Sequence, residues 1–380
     1  MAGFGKNNKS KKIKLSNLQQ KYDENETLNK ALNFHYKGNI VEAIKLYKFL
    51  IDKGTKNSTI FTNFGLILIN FGKFKDAEFY IRKSIKINPK DSIAHFNLGG
   101  ILKIQKKFHD AEFFIRKAIE LNPKESTAHY NLGIVLKNLG KLQESELSYR
   151  KAIKIKPNYA EAHYNLGIVL KDLGKLQESE LSYRKAIKIK PNYAEAHYNL
   201  GNLFSNFGKL QESELSYKKV IQLNPNYIKA YYALSLLKYS NENKLWKNQL
   251  FSKSILTNKS KEEQINIFFA RANILHKEKN YKDSSKFLKL ANQLKLTLRP
   301  SNSENLINKS KELLIESINQ KINQKEETYS QESIFIVGMP RSGSTLLESI
   351  LSMNNEVYDL KESEIFKESF LEYKKSNQKL

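Results

Sequence analysis

Apolar and polar positions in this chain repeat with a short period nested inside a long one. In Ser126–Tyr159, STAHYNLGIVLKNLGKLQESELSYRKAIKIKPNY, the residues His129, Leu132, Gly133 and Leu136 recur at i, i+3, i+4 and i+7, which is one face of an amphipathic helix. Leu139-Gly140-Lys141 then stops the helix, because glycine readily takes the backbone angles of a C-terminal cap. Leu142, Ser145, Tyr149, Ala152 and Ile153 trace a second amphipathic helix. Lys156 stands before Pro157, and the residue before proline is pushed away from helix. The pattern predicts helix, tight turn, helix and proline turn.

The unit returns almost unchanged at Ala160–Tyr193. From Ala128 and Ala162 onward the two copies differ only at Asn138 versus Asp172. Gly65, Gly99, Gly133, Gly167 and Gly201 lie 34 positions apart, and Pro89, Pro123, Pro157, Pro191 and Pro225 keep the same register. Such a period marks a repeat architecture. The units run 24–57, 58–91, 92–125, 126–159, 160–193 and 194–227, then a degenerate one at 228–264 and a last one at 265–298. Lys106 in the third unit stands where the others carry a turn glycine. Helix, turn, helix and proline turn in this register resemble the tetratricopeptide repeat. Gly133, Ser145 and Ala152 sit where that family packs its helices closely, Tyr149 takes its aromatic position, and His129 replaces its usual Trp. The resemblance implies a right-handed α-solenoid of about eight helix pairs, one of them worn, over residues 24–298.

Composition changes this picture little. The chain has 380 residues and a formal net charge of +25, which suggests acidic partners. The charge is mostly Lys spread along the chain, however, and nucleic acid is not the favoured partner. The absence of cysteine removes disulfides, thiolate nucleophiles and Cys-ligated metal. No apolar run approaches the ~20 residues that cross a bilayer, and a cytoplasmic location is expected. Residues 1–23, basic and poor in apolar positions, read as disordered. Residues 299–332 read as a polar linker with one weak helix through Leu306, Leu313, Leu314 and Ile318.

Residues 333–380 have a different character. SIFIVGM reads as a buried strand, PRSGST as a turn and LLESILSM as a helix. This order aims backbone N–H groups and a helix N-terminus at a phosphate. Gly338 and Gly343 have nucleotide P-loop spacing, but that motif needs Lys where Ser344 stands, and the cation here is Arg341. IFIVGMPRSGSTLLESIL resembles the phosphosulfate loop of the sulfotransferase family, most closely in bacterial proteins that join such repeats to a protein-tyrosine-sulfotransferase-like domain. The resemblance implies that Arg341, Ser342, Gly343, Ser344 and Thr345 bind the phosphosulfate of 3′-phosphoadenylyl sulfate, the co-substrate. It also implies sulfuryl transfer to a hydroxyl, protein tyrosine among the candidates. MNNEVYDLKESEIF resembles the segment with that family's catalytic Glu, and Glu362 matches best. Asn355 replaces a usual Pro and Lys361 a usual Gly, so the alignment also admits Glu364. A fold of mainly α class is therefore expected, with a partial α/β unit after the solenoid. One strand and two helices before Leu380 do not complete a parallel sheet. The expectation is a truncated or split transferase that a second polypeptide would complete.

Three rows of equivalent residues remain. Asn29, Asn63, Asn97, Asn131, Asn165 and Asn199 share one position of the first helices. A carboxamide both donates and accepts, so a stacked row can grip an extended peptide backbone. The row resembles the asparagine ladder in the repeat superhelix of O-linked N-acetylglucosamine transferase. Asn97, Asn131, Asn165 and Asn199 are the expected peptide-binding residues, with Phe96, Tyr130, Tyr164 and Tyr198 adding aromatic area beside them. The competing reading is a non-enzymatic scaffold that binds peptides in the same groove. His95, His129, His163 and His197 are too far apart for one metal ion and read as packing residues. Arg82, Arg116, Arg150 and Arg184 read as a solvated outer face.

Overall fold

The computed structural model describes residues 23–237 and 244–298. These fall in the unit Met1–Ser301. Among them every regular element is helical. The first helices of successive pairs are α1 (Glu24–Tyr36), α3 (Ser58–Asn70), α5 (Ser92–Ile104), α7 (Ser126–Asn138), α9 (Ala160–Asp172) and α11 (Ala194–Asn206). Their partners are α2 (Ile40–Asp52), α4 (Phe74–Ile87), α6 (Phe108–Leu121), α8 (Leu142–Ile155), α10 (Leu176–Ile189) and α12 (Leu210–Leu223). A short α13 (Ile228–Leu236), α14 (Lys244–Phe251), α15 (Lys261–Lys277) and α16 (Tyr281–Leu298) follow. The mainly α, helix-pair solenoid expected from the repeat is the fold observed; the α/β unit expected after it lies outside the described residues.

The turn inside each pair closes as the glycines require. Gly72, Gly140, Gly174 and Gly208 have φ near +70 to +76°, a left-handed conformation that costs side-chain-bearing residues about 1–2 kcal/mol. Lys106 adopts φ 60° at the same place. Within a pair the helices approach closely because small residues face each other. Tyr149 is fully buried and lies where a Cβ on Gly133 would fall 2.6 Å from its ring. Ser145, also buried, donates its hydroxyl to the Gly133 carbonyl at 2.7 Å, and Ser179 and Ser213 do the same to Gly167 and Gly201. The buried hydroxyl is satisfied, as burial demands.

Each pair packs against the next chiefly by its second helix on the following first helix. Successive first helices also touch, α3 with α5, α5 with α7 and α7 with α9, and successive second helices do so less. The array therefore curves with its first helices on the inside.

The degenerate stretch is held by polar clamps. Arg271 on α15 is buried and donates Nε–H to the Leu250 carbonyl and a terminal N–H to that of Ser252, both at 2.9 Å. The rings of Phe251 and Phe287 lie 5.7 and 5.4 Å from its guanidinium. Lys277 donates to the Ser235 and Leu237 carbonyls at the C-terminus of α13, where cations complement the helix dipole. Burial lowers the pKa of both Arg271 and Lys277.

Candidate functional site

The inner face is built from one position of each first helix and its neighbours. Asn97, Asn131, Asn165 and Asn199 all lie there, half-buried, but they are not equivalent. Asn165 donates an amide N–H to the Tyr130 hydroxyl of the preceding repeat at 3.0 Å, and Asn199 does the same to Tyr164 at 3.1 Å. Asn131 accepts from the Lys103 ammonium at 2.5 Å. The Nδ2 of Asn97 is buried without a partner. A carboxamide offers two N–H groups and an oxygen, so each of the bonded asparagines keeps capacity for a further ligand.

The aromatic contribution is larger than the first helices alone supply. Tyr130, Tyr164 and Tyr198 each pack against a tyrosine from the end of their own repeat: Tyr159, Tyr193 and Tyr227, with ring centroids 4.9, 4.9 and 5.2 Å apart. These last three are additions to the site, and their recurrence every 34 positions is the signal for them in the sequence. Burial, aided by Tyr130, Glu161 and Glu125, pushes the Tyr159 phenol up to about 12. Burial first and nearby Glu195 second raise Tyr164 as well. These hydroxyls therefore stay protonated and remain hydrogen-bond donors at neutral pH. Lys156 and Lys190 sit over the Tyr159 and Tyr193 rings at 4.8 and 4.7 Å. Lys103, whose pKa burial lowers, is followed one and two repeats later by Lys137 and Lys171. The face thus carries amide, phenol and ammonium groups at regular intervals.

The two other rows resolve differently. The Nε2–H of His95, His129, His163 and His197 donates to the carbonyls of Pro89, Pro123, Pro157 and Pro191 at 2.9 to 3.0 Å. Each histidine thereby ties the proline turn to the following helix. Desolvation chiefly lowers the pKa of His163 and His197, against the hydrogen bond to the proline carbonyl. The arginines are half-exposed, as a solvated face requires, but they also bridge repeats. Arg116 pairs with Glu112 at 2.9 Å and with Glu144 of the next repeat at 2.5 Å, and Arg150 likewise with Glu146 and Glu178. Lys141 and Lys175 reach back to Glu112 and Glu146 at 2.9 and 2.8 Å. Burial opposes ionisation of Glu112 and Glu146, but hydrogen bonds and charge from these cations hold both carboxyls below their ordinary range.

Arg341, Ser342, Gly343, Ser344, Thr345 and Glu362 lie outside the described residues. Among the described residues no group of three or more His, Asp or Glu could hold a metal ion, and no helix is long and apolar enough to cross a membrane.

Family models for the tetratricopeptide repeat match residues 58–91, 93–125, 114–146 and 194–227, and a TPR-repeat model matches 137–174 and 169–206. The model described as "Sulfotransferase family" matches residues 333–380. No curated protein matches the chain. Among solved structures, YrrB, described as a TPR protein with an unusual peptide-binding site, is 20% identical with a TM-score of 0.45, over 50% of this chain and 98% of its own. MamA from Desulfovibrio magneticus is 20% identical with a TM-score of 0.43, over 46% of this chain and 98% of its own. PilF of Pseudomonas aeruginosa is 14% identical with a TM-score of 0.45, over 67% and 97%. With helix pairs in one register from α1 to α12 and repeat models matching from residue 58 to 227, the chain is a tetratricopeptide-repeat protein whose residues 333–380 match the sulfotransferase family.

Proposed function

We propose that this chain is a protein-interaction scaffold whose inner face holds an extended polypeptide, joined to the phosphosulfate-binding start of a sulfotransferase. The observation that carries the groove is the row of half-buried amides and phenols, repeated once per helix pair and keeping hydrogen-bonding capacity after their internal bonds are counted. An extended backbone presents N–H and C=O groups that such a row can pair, and side-chain pockets then select sequence. The double variant Asn131→Ala/Asn165→Ala should weaken peptide binding by roughly 1–3 kcal/mol, the cost of leaving desolvated polar groups unpaired. Calorimetry against peptides selected on the intact chain measures it, with circular dichroism to show that the helices persist. Unchanged affinity would remove the groove.

The transfer reading rests on the family match at residues 333–380 and on the residues in its loop. In this reading the acceptor oxygen attacks sulfur and the bond from sulfur to the donor phosphate oxygen breaks. Negative charge then grows on the leaving phosphate. Arg341 and the backbone N–H groups from Ser342 to Thr345 would stabilise that charge, and Glu362 would take the acceptor's proton. Binding of 3′-phosphoadenosine 5′-phosphate, lost in Arg341→Ala, tests the loop. Absence of binding, with partner capture retained after deletion of residues 333–380, would favour the scaffold alone.

A further inference from the structure

The outward face of the second helices carries a pattern that the peptide groove does not use. Phe79, Phe113, Leu147, Leu181 and Leu215 stand at one position of α4, α6, α8, α10 and α12, and each is between 62 and 68% exposed. The corresponding residue of α2 is Lys45, which ends the row. In each helix the preceding position is a glutamate, and in α8 this residue, Glu146, is buried and bound to Arg150 and Lys175. The charge sits inside and the large apolar group outside, the reverse of what solvation alone would select. A large exposed apolar side chain at the same place on five successive helices is more than the scattered single residues of an ordinary surface and marks a contact surface.

The row has charged flanks of opposite sign. Three residues before each apolar side chain is an exposed acid: Asp76, Asp110, Glu144, Glu178 or Glu212. Four residues after it is a lysine: Lys83, Lys117, Lys151, Lys185 or Lys219. Residues three and four apart share a helix face, so three parallel lanes run along the outside, acidic, apolar and basic. This order inverts about its own midline. A two-fold rotation about the tangent to the apolar lane at Leu147 and Leu181 brings the lane against itself there and places each acidic lane over the partner's basic lane. Rotation about the perpendicular in-plane axis would instead set like charge on like. Beside Leu147 a recess of about 360 Å³, lined by Arg116, His129, Leu132 and Lys151 among others, can receive a side chain from the opposing surface.

We propose that the chain self-associates through this face as a parallel two-fold pair, apolar lane on apolar lane. The occupant is a second copy because the surface is its own electrostatic complement, and a two-fold contact closes without further growth. Glu144 and Glu178 already hold Arg116 and Arg150, but a carboxylate has lone pairs for a further donor. The net charge of +25 opposes approach of two copies, an effect screened beyond about 8 Å at physiological salt.

Sedimentation of the full chain at micromolar concentration and physiological salt tests this. The wild type should have twice the monomer mass. Leu147→Glu/Leu181→Glu should have half the wild-type mass with unchanged helical dichroism. Glu144→Lys/Glu178→Lys and Lys151→Glu/Lys185→Glu should each be monomeric alone, since each sets like charges across the contact. Mixed, they should recover the double mass, because one supplies two basic lanes and the other two acidic ones. A monomeric wild type, a dimer indifferent to the leucine changes, a mass that grows with concentration beyond two copies, or no recovery on mixing would each overturn the proposal.

Discussion

At the residue scale, close approach decides which glycines are replaceable. Gly99 and Gly100 are neighbours on α5, yet a Cβ on Gly99 would fall 2.5 Å from the Ile115 side chain and 3.2 Å from its backbone N, whereas one on Gly100 meets nothing within 4 Å. Alanine is favoured over glycine in a helix by about 1 kcal/mol, and overpacking costs about 1–3 kcal/mol. Gly100→Ala should therefore raise the urea midpoint and Gly99→Ala should lower it. Equal effects would show that packing at Gly99 yields. Lys106 is the complementary case: it holds φ 60° where the sequence already showed a missing glycine. Lys106→Gly should stabilise by about 1 kcal/mol in the same assay.

At the element scale, polar ties set how firmly one helix follows another. His163 and His197 are harder to protonate in the fold than in the unfolded chain. A depressed folded pKa means that the unfolded state binds the proton first. Their contribution is then complete above the unfolded value of about 6.5 and is lost as pH falls below it, levelling out under the folded value. The melting temperature should fall between about pH 7 and 5, and His163→Gln/His197→Gln should flatten that slope; an unchanged slope would assign it to other groups. The depressed carboxyls of Glu112 and Glu146 act in a lower window, their contribution fading as pH falls through the acid range. Glu146→Gln should cost about 1–2 kcal/mol, since it removes charged hydrogen bonds whose cationic partners are themselves half in solvent. Equilibrium unfolding would show it.

For the array as a whole, stability is a sum of units and of interfaces between neighbours. Helices α8 and α10 have identical sequences, LQESELSYRKAIKI. Deleting residues 160–193 therefore joins Tyr159 to Ala194 and sets α8 against α11, recreating the contact that α10 makes there. The shortened chain should fold cooperatively, with helical dichroism reduced in proportion to its length and only a modest loss of midpoint. Aggregation or loss of cooperativity would mean that the repeats are not interchangeable. The inner and outer faces are separate surfaces, so the groove variants should leave sedimentation unchanged.

The period, the helix pairs and the inward small residues were determined by the sequence alone, because each repeat buries its apolar face on its immediate neighbours and writes that requirement into every copy. The same local logic placed the turn glycines and showed Lys106 as the odd one. What the sequence could not decide was which atom meets which across a repeat boundary. The asparagine row was legible, but its use of Tyr130, Tyr164 and Lys103 as partners was not. Tyr159, Tyr193 and Tyr227 were visible as a periodic row without a role until packing set them against the first helices. The arginine row read as solvent-facing until Glu144 and Glu178 of the next repeat came within reach. Repeat position fixes a residue's place within its unit. The offset between units, which depends on helix packing geometry, fixes its neighbours, and only the tertiary structure contains it.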